Sequence, residues 1–146
     1  MKKVVLNLIF VICIVISITS CDKWWKCGGG KYAERLASVI EKEYVGESGT
    51  PAGYGVLMVY FEELCIGKDE KVSIYIDNAL IGNISKAEGS REPPYGEQSE
   101  SCITYPLEIG THSFSLKIGE ETMIGAPITI EQDYCLRLKN TIICGE

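Results

Sequence analysis

Histidine is almost missing from this chain: His112 is the only one in 146 residues. Nucleophilic catalysis needs a nucleophile, a base and a group that orients the base. With one imidazole and no Gly-x-Ser-x-Gly around any serine, the parts of a hydrolase are not there. Cys-x-x-Cys is also absent, and with a single histidine that argues against a zinc site. Gly28-Gly29-Gly30 lacks the Lys-Ser/Thr that a phosphate-cradling loop requires. Basic residues are outnumbered, 14 against 20 acidic ones, for a formal charge of −6. A surface of that sign repels phosphates and argues against nucleic acid as a partner. The acidic pairs Glu62-Glu63, Asp69-Glu70 and Glu120-Glu121 are sequence neighbours at turns. On a strand, neighbours point to opposite faces, so these pairs read as solvated surface and not as converging acids and bases. The sequence implies no cofactor, no metal and no enzyme.

What is present begins at the N-terminus. Lys2 and Lys3 precede an apolar run from Val4 to Ile18, and small residues follow up to Cys21. Basic, apolar and small zones in that order are the layout of a secretory signal. Ile18-Thr19-Ser20-Cys21 resembles the cleavage motif of bacterial lipoproteins at all four positions. The resemblance implies cleavage after residue 20, a diacylglyceryl thioether on Cys21 and an acylated amine on the same residue. The competing reading is an uncleaved span, for which residues 4–20 lie near the lower limit of about 17–25 residues. A plain span has no need of Ser-Cys at its outer end. Either way the remainder is expected outside the cytoplasm, at a cell membrane or outer membrane and facing periplasm or exterior. Loss of Lys2 and Lys3 with residues 1–20 leaves 12 basic residues against 20 acidic, a formal charge of −8 over 126 residues. That length suits one domain with a real core.

Residues 21–30 read as a lipidated tether. Trp24 and Trp25 either sit at headgroup level or pack on the domain; Lys23 and Lys26 favour anionic lipid, and three glycines form a joint. Five cysteines remain beyond Cys13 and Cys21. In an oxidising compartment Cys65, Cys102, Cys135 and Cys144 are disulfide candidates, with three possible connectivities, and Cys27 is the odd thiol.

Residues 31–146 are expected to form a mainly β domain: a small antiparallel β-sandwich of about seven strands with one N-terminal amphipathic helix. The helix is expected over Lys31–Tyr44, where Tyr32, Leu36, Val39, Ile40 and Tyr44 recur at three- and four-residue steps. Tyr54–Phe61 is apolar throughout, as in a central strand covered on both faces. Val72, Ile74 and Ile76 alternate up to Asp77-Asn78, a pair that tolerates positive φ and suits a two-residue hairpin turn. Asn83–Ser101 is a long polar insert. Pro106 confines Cys102–Leu107 to an edge or a strand end. Phe114, Leu116 and Ile118 alternate after a turn at Gly110, Pro127 interrupts the next segment, and Tyr134–Ile143 closes the chain.

Lys71–Gly82, a strand ending in Asp with a tight turn and an aliphatic-Gly return, is followed by Tyr105–Phe114 with its Gly110-Thr111-His112. Together they resemble PEGA-type domains and related exported lipoprotein domains. The resemblance covers residues 71 to about 118 and implies a prealbumin-like or immunoglobulin-like sandwich, with no catalytic residues to carry over. Ile109, where the family usually has Pro, the insert and the cysteines depart from the pattern. His112 is expected to hydrogen-bond a neighbouring backbone group.

The function these residues point to is a membrane-anchored, non-enzymatic binding or structural module of the cell envelope. Membrane contact runs through lipid on Cys21, and the partner is an envelope protein or glycan. The insert Ala87–Glu100 offers Arg91, Tyr95 and Gln98 as a possible ligand loop, against the plainer reading of a solvated loop. The alternative function is a periplasmic inhibitor or immunity-type protein that plugs an enzyme with that loop.

Overall fold

The computed structural model describes residues 25–27, 32, 36–46 and 50–144. The signal, Cys21 and the glycine joint lie outside them. The described residues are mainly β and contain no helix. Eleven strands form sheets of five, four and two.

The five-stranded sheet is built from hairpins. β4 (Val72–Ile76) pairs antiparallel with β5 (Ala79–Ile84) and with β8 (Phe114–Ile118), and β8 pairs with β9 (Glu121–Gly125). The β4–β5 turn is the two residues Asp77 and Asn78, at φ 48° and 66°. Positive φ at both central positions matches the right-handed twist of the flanking strands, as the sequence led us to expect. Gly82 lets β5 approach the other layer, since a Cβ there would lie 2.7 Å from Ile103 Cδ1. β1 (Trp25–Cys27), within the expected tether, adds an edge strand against Met123–Gly125.

The four-stranded sheet has the order β2, β11, β3, β6, with β2 (Leu36–Tyr44), β3 (Tyr54–Leu64), β6 (Cys102–Glu108) and β11 (Tyr134–Ile142). Two expectations are corrected here. The helix expected over 31–44 is a strand from Leu36 to Tyr44, paired along its whole length with β11; residues 31 and 33–35 lie outside the described set. Val39, Ile40 and Tyr44 suit a pleated surface, and nine paired residues outweigh a local helical period. The sandwich was also expected to be antiparallel, but β11 runs parallel to β3. β2 and β3 run in opposite directions with a gap between them, and the C-terminal strand fills that gap.

One face of each sheet meets in a shared core. Leu57, Val59, Phe61, Ile103, Leu136 and Leu138 pack with Val72, Ile74, Ile76, Phe114, Leu116 and Ile118. The small sheet of β7 (Gly110–His112) and β10 (Ile128–Ile130) adds Ile128 and Ile130 to it. Buried Tyr32 joins the same core and donates its hydroxyl to Glu70 Oε2 at 2.5 Å.

Candidate functional site

Three regions gather the chemistry-bearing side chains. The first lies at the β4–β5 turn. His112 Nδ1 is 2.7 Å from Asp77 Oδ2, and its Nε2 is 2.8 Å from the Glu108 carbonyl oxygen. Both partners are acceptors, so satisfying both contacts requires N–H on each nitrogen, the imidazolium form. Burial works against that charge, but the hydrogen bonds to Asp77 and Glu108 outweigh it and hold the His112 pKa above its ordinary value. Asp77 is held below the usual carboxylate range by His112 and by the Ser113 backbone amide, which donates to Oδ1 at 2.8 Å. The Ser113 hydroxyl also donates to Asp77, at 3.1 Å, and not to the imidazole. With both ring nitrogens engaged, His112 has no lone pair to act as a base. The expected backbone hydrogen bond is there, and the Asp77 contact is an addition to it.

The second region is the outer face of the four-stranded sheet, beneath the insert. Val56, Met58, Tyr60, Cys102 and Cys135 form a small buried cluster there. Residues 85–101 cover it through specific anchors. Arg137 donates from Nη1 to the carbonyl of buried Pro93 at 2.9 Å, and from Nε and Nη2 to Glu43 Oε2 at 2.8 and 2.7 Å. The Glu88 amide donates to the Phe61 carbonyl at 2.8 Å, and Thr104 Oγ1 to the Glu97 carbonyl at 2.5 Å. Ser85 and Lys86 amides both donate to the Glu100 carbonyl, closing the neck of the loop.

The three loop residues expected to contact a ligand are all exposed and differ in how they are held. Arg91 pairs with Glu97 at 2.8 Å and Glu88 at 3.5 Å, and Gln98 donates to the Thr104 carbonyl. Of the three loop residues singled out from sequence, Tyr95 alone stands exposed without such a tie.

The disulfide candidates separate into two kinds. Cys65 and Cys144 are bonded, with Cα atoms 5.1 Å apart, tying the end of β3 to the segment after β11. Cys102 and Cys135 are buried free thiols and not a second bridge. They lie on strands either side of β3, opposite Tyr60 and Val56, which by strand spacing places them roughly 16 Å apart. A disulfide spans no more than about 7 Å between Cα atoms. Burial pushes their pKa values up to about 12 for Cys102 and about 11 for Cys135, so both stay protonated and unreactive. Burial likewise raises the Tyr60 phenol to about 12. The backbone of Cys27 pairs with Met123 in β1, and Cys21 lies outside the described residues. Among the described residues no group of three His, Cys, Asp or Glu gathers to hold a metal.

The third region is β2. It is an edge strand whose far side pairs with no strand among the described residues. Its register with β11 places Ile40 opposite Leu138 and Tyr44 opposite Tyr134 on the core-side face, and Glu41 opposite Arg137 on the outer face. The strand overhangs the core: Val39 is 52 % exposed, Ile40 41 % and Tyr44 65 %. Tyr44 meets Tyr134 edge-on at 5.3 Å, and Lys42 lies 4.1 Å above the Tyr134 ring while bonding Glu131 at 2.5 Å. Reading 31–44 as a helix hid this edge. The adjacent β-branched pair Val39-Ile40 was the available signal for a strand.

No known protein family, curated protein or solved structure matches the chain.

Proposed function

We propose that this chain is a lipid-anchored, extracytoplasmic, non-enzymatic module that binds a protein of the cell envelope. The anchor is Cys21, and the β domain is held out from the membrane on the segment that follows it. The observation that carries the binding role is the nine-residue edge of β2 with Val39, Ile40 and Tyr44 exposed along it. A long edge strand without proline or bulge presents a row of unpaired backbone N–H and C=O groups, a template for another chain. A sheet edge offers alternating N–H and C=O groups, which complement a peptide backbone better than a glycan. The non-enzymatic reading draws support from an imidazole engaged on both nitrogens and from thiols kept protonated by burial. The stacked sheets and the Asp77-Asn78 turn support a PEGA-like or prealbumin-like sandwich. The inhibitor reading relied on the insert projecting as a plug, and the anchors to Arg137, Thr104 and Phe61 favour a cover instead.

Membrane fractionation of the full chain tests the anchor. Wild type is expected in the membrane fraction and a Cys21→Ala form in the soluble one. A Cys21→Ala form that stays with the membrane contradicts the lipid anchor.

A further inference from the structure

We propose that β2 receives an extended segment of its partner in which aliphatic residues alternate with lysine or arginine. This deepens the binding role given above and rests on it. An added strand places alternate side chains on the two faces of the sheet it joins. On the core-side face its neighbours are Ile40 and Tyr44, whose exposed apolar surface is extended by aliphatic side chains. Lys42 shares that face, but its ammonium is folded back onto Tyr134 and Glu131 and adds little charge to the edge. On the outer face the neighbours are Val39, Glu41 and Glu43. Glu43 is paired with Arg137, while Glu41 makes no ion pair among the described residues and faces solvent. The chain as a whole carries −6, so a basic segment is also drawn in at long range.

A second copy of this chain fits the edge less well. Two-fold antiparallel pairing keeps side chains on their own face, so the symmetric registers that pair most of the strand place Glu41, Lys42, Ile40 or Val39 against itself. The first two set like charges directly opposite, which is destabilising in a sheet. The Ile40 and Val39 registers avoid that clash but bring together two acidic molecules.

The test uses the full chain in detergent micelles and nine-residue synthetic peptides matched in length to β2. One peptide alternates valine and lysine, one alternates valine and glutamate, and a third is the lysine peptide N-methylated at every second residue. The lysine peptide is expected to bind about tenfold more tightly than the glutamate peptide and to slow amide exchange within 36–44. N-methylation is expected to abolish binding, because it removes the backbone donors. Glu41→Lys, at an exposed position, is expected to erase the preference for the lysine peptide. Equal binding of both charged peptides, protection outside 36–44, or undiminished binding after N-methylation would overturn the proposal. Concentration-dependent protection of 36–44 without peptide would overturn it in favour of pairing between copies. The peptide test does not involve the anchor, so failure at Cys21 and failure at β2 are read separately.

Discussion

The two faces of the four-stranded sheet are buried by different means, and their chemistry differs accordingly. The inner face meets another sheet and presents Leu57, Val59, Phe61, Leu136 and Leu138. Regular strands satisfy one another's backbone, so side chains at that interface need only be apolar and well shaped. The outer face is covered by an irregular insert whose backbone has no ladder to join. It is held by single hydrogen bonds from backbone and side chains, above all those of Arg137 to Pro93 and Glu43, and polar groups therefore sit among Val56, Met58 and Tyr60. An apolar strand interior can thus signal either a second sheet or a pinned loop, and only the buried polar anchors tell them apart.

The comparison is sharpened first at the inner face. Phe61→Ala removes a fully buried ring from the shared core and is expected to cost about 3–5 kcal/mol, measured by urea denaturation. A cost near zero would mean that the sheets do not stack. Next comes the bridge that joins the ends of β3 and β11. Replacing Cys65 and Cys144 together by serine opens a loop of sequence separation 79 and is expected to cost about 2–5 kcal/mol.

Arg137→Met at the outer face should cost less, about 1–3 kcal/mol, because Glu43 is half-exposed and water takes over part of the lost pairing. Its distinctive result is local: alkylation of Cys102 and Cys135 should accelerate well beyond the change in global stability. Unchanged thiol reactivity would show that Arg137 does not hold the insert.

The smallest effect lies at His112. A raised histidine pKa contributes stability in full below the unfolded value near 6.5 and loses it as pH rises through the folded pKa. The lowered Asp77 pKa contributes above about 3.8 and is lost as pH falls through its folded value. The stability gap between wild type and His112→Gln should therefore be widest between those limits and close above the raised histidine pKa. A gap that widens as pH rises above about 6.5 would contradict the imidazolium.

The hairpin sheet was legible because its signals are local. Val72, Ile74 and Ile76 alternate, Asp77-Asn78 turns, and Phe114, Leu116 and Ile118 alternate again. The doubly covered β3 and the edge position of Pro106 in β6 were legible for the same reason. β2 was not. Its partner β11 lies about a hundred residues away, and in isolation Leu36, Val39 and Ile40 satisfy a helical period as well as a strand. The parallel β3–β11 pairing, the separation of Cys102 from Cys135 and the grip of Arg137 on Pro93 depend on that same distant pairing. The open edge was hidden with it, so the sequence reading placed the binding role on the insert.

Residue-resolved hydrogen exchange on the full chain tests the central claim, a covered face beside an open edge, most directly. An edge strand bonds every second amide to its one neighbour and leaves the others to solvent. The account predicts alternating slow and fast exchange through Leu36–Tyr44, with slow exchange at Ser85, Lys86 and Glu88 in the insert. Uniform protection across Leu36–Tyr44 together with rapid exchange at those three insert amides would contradict it.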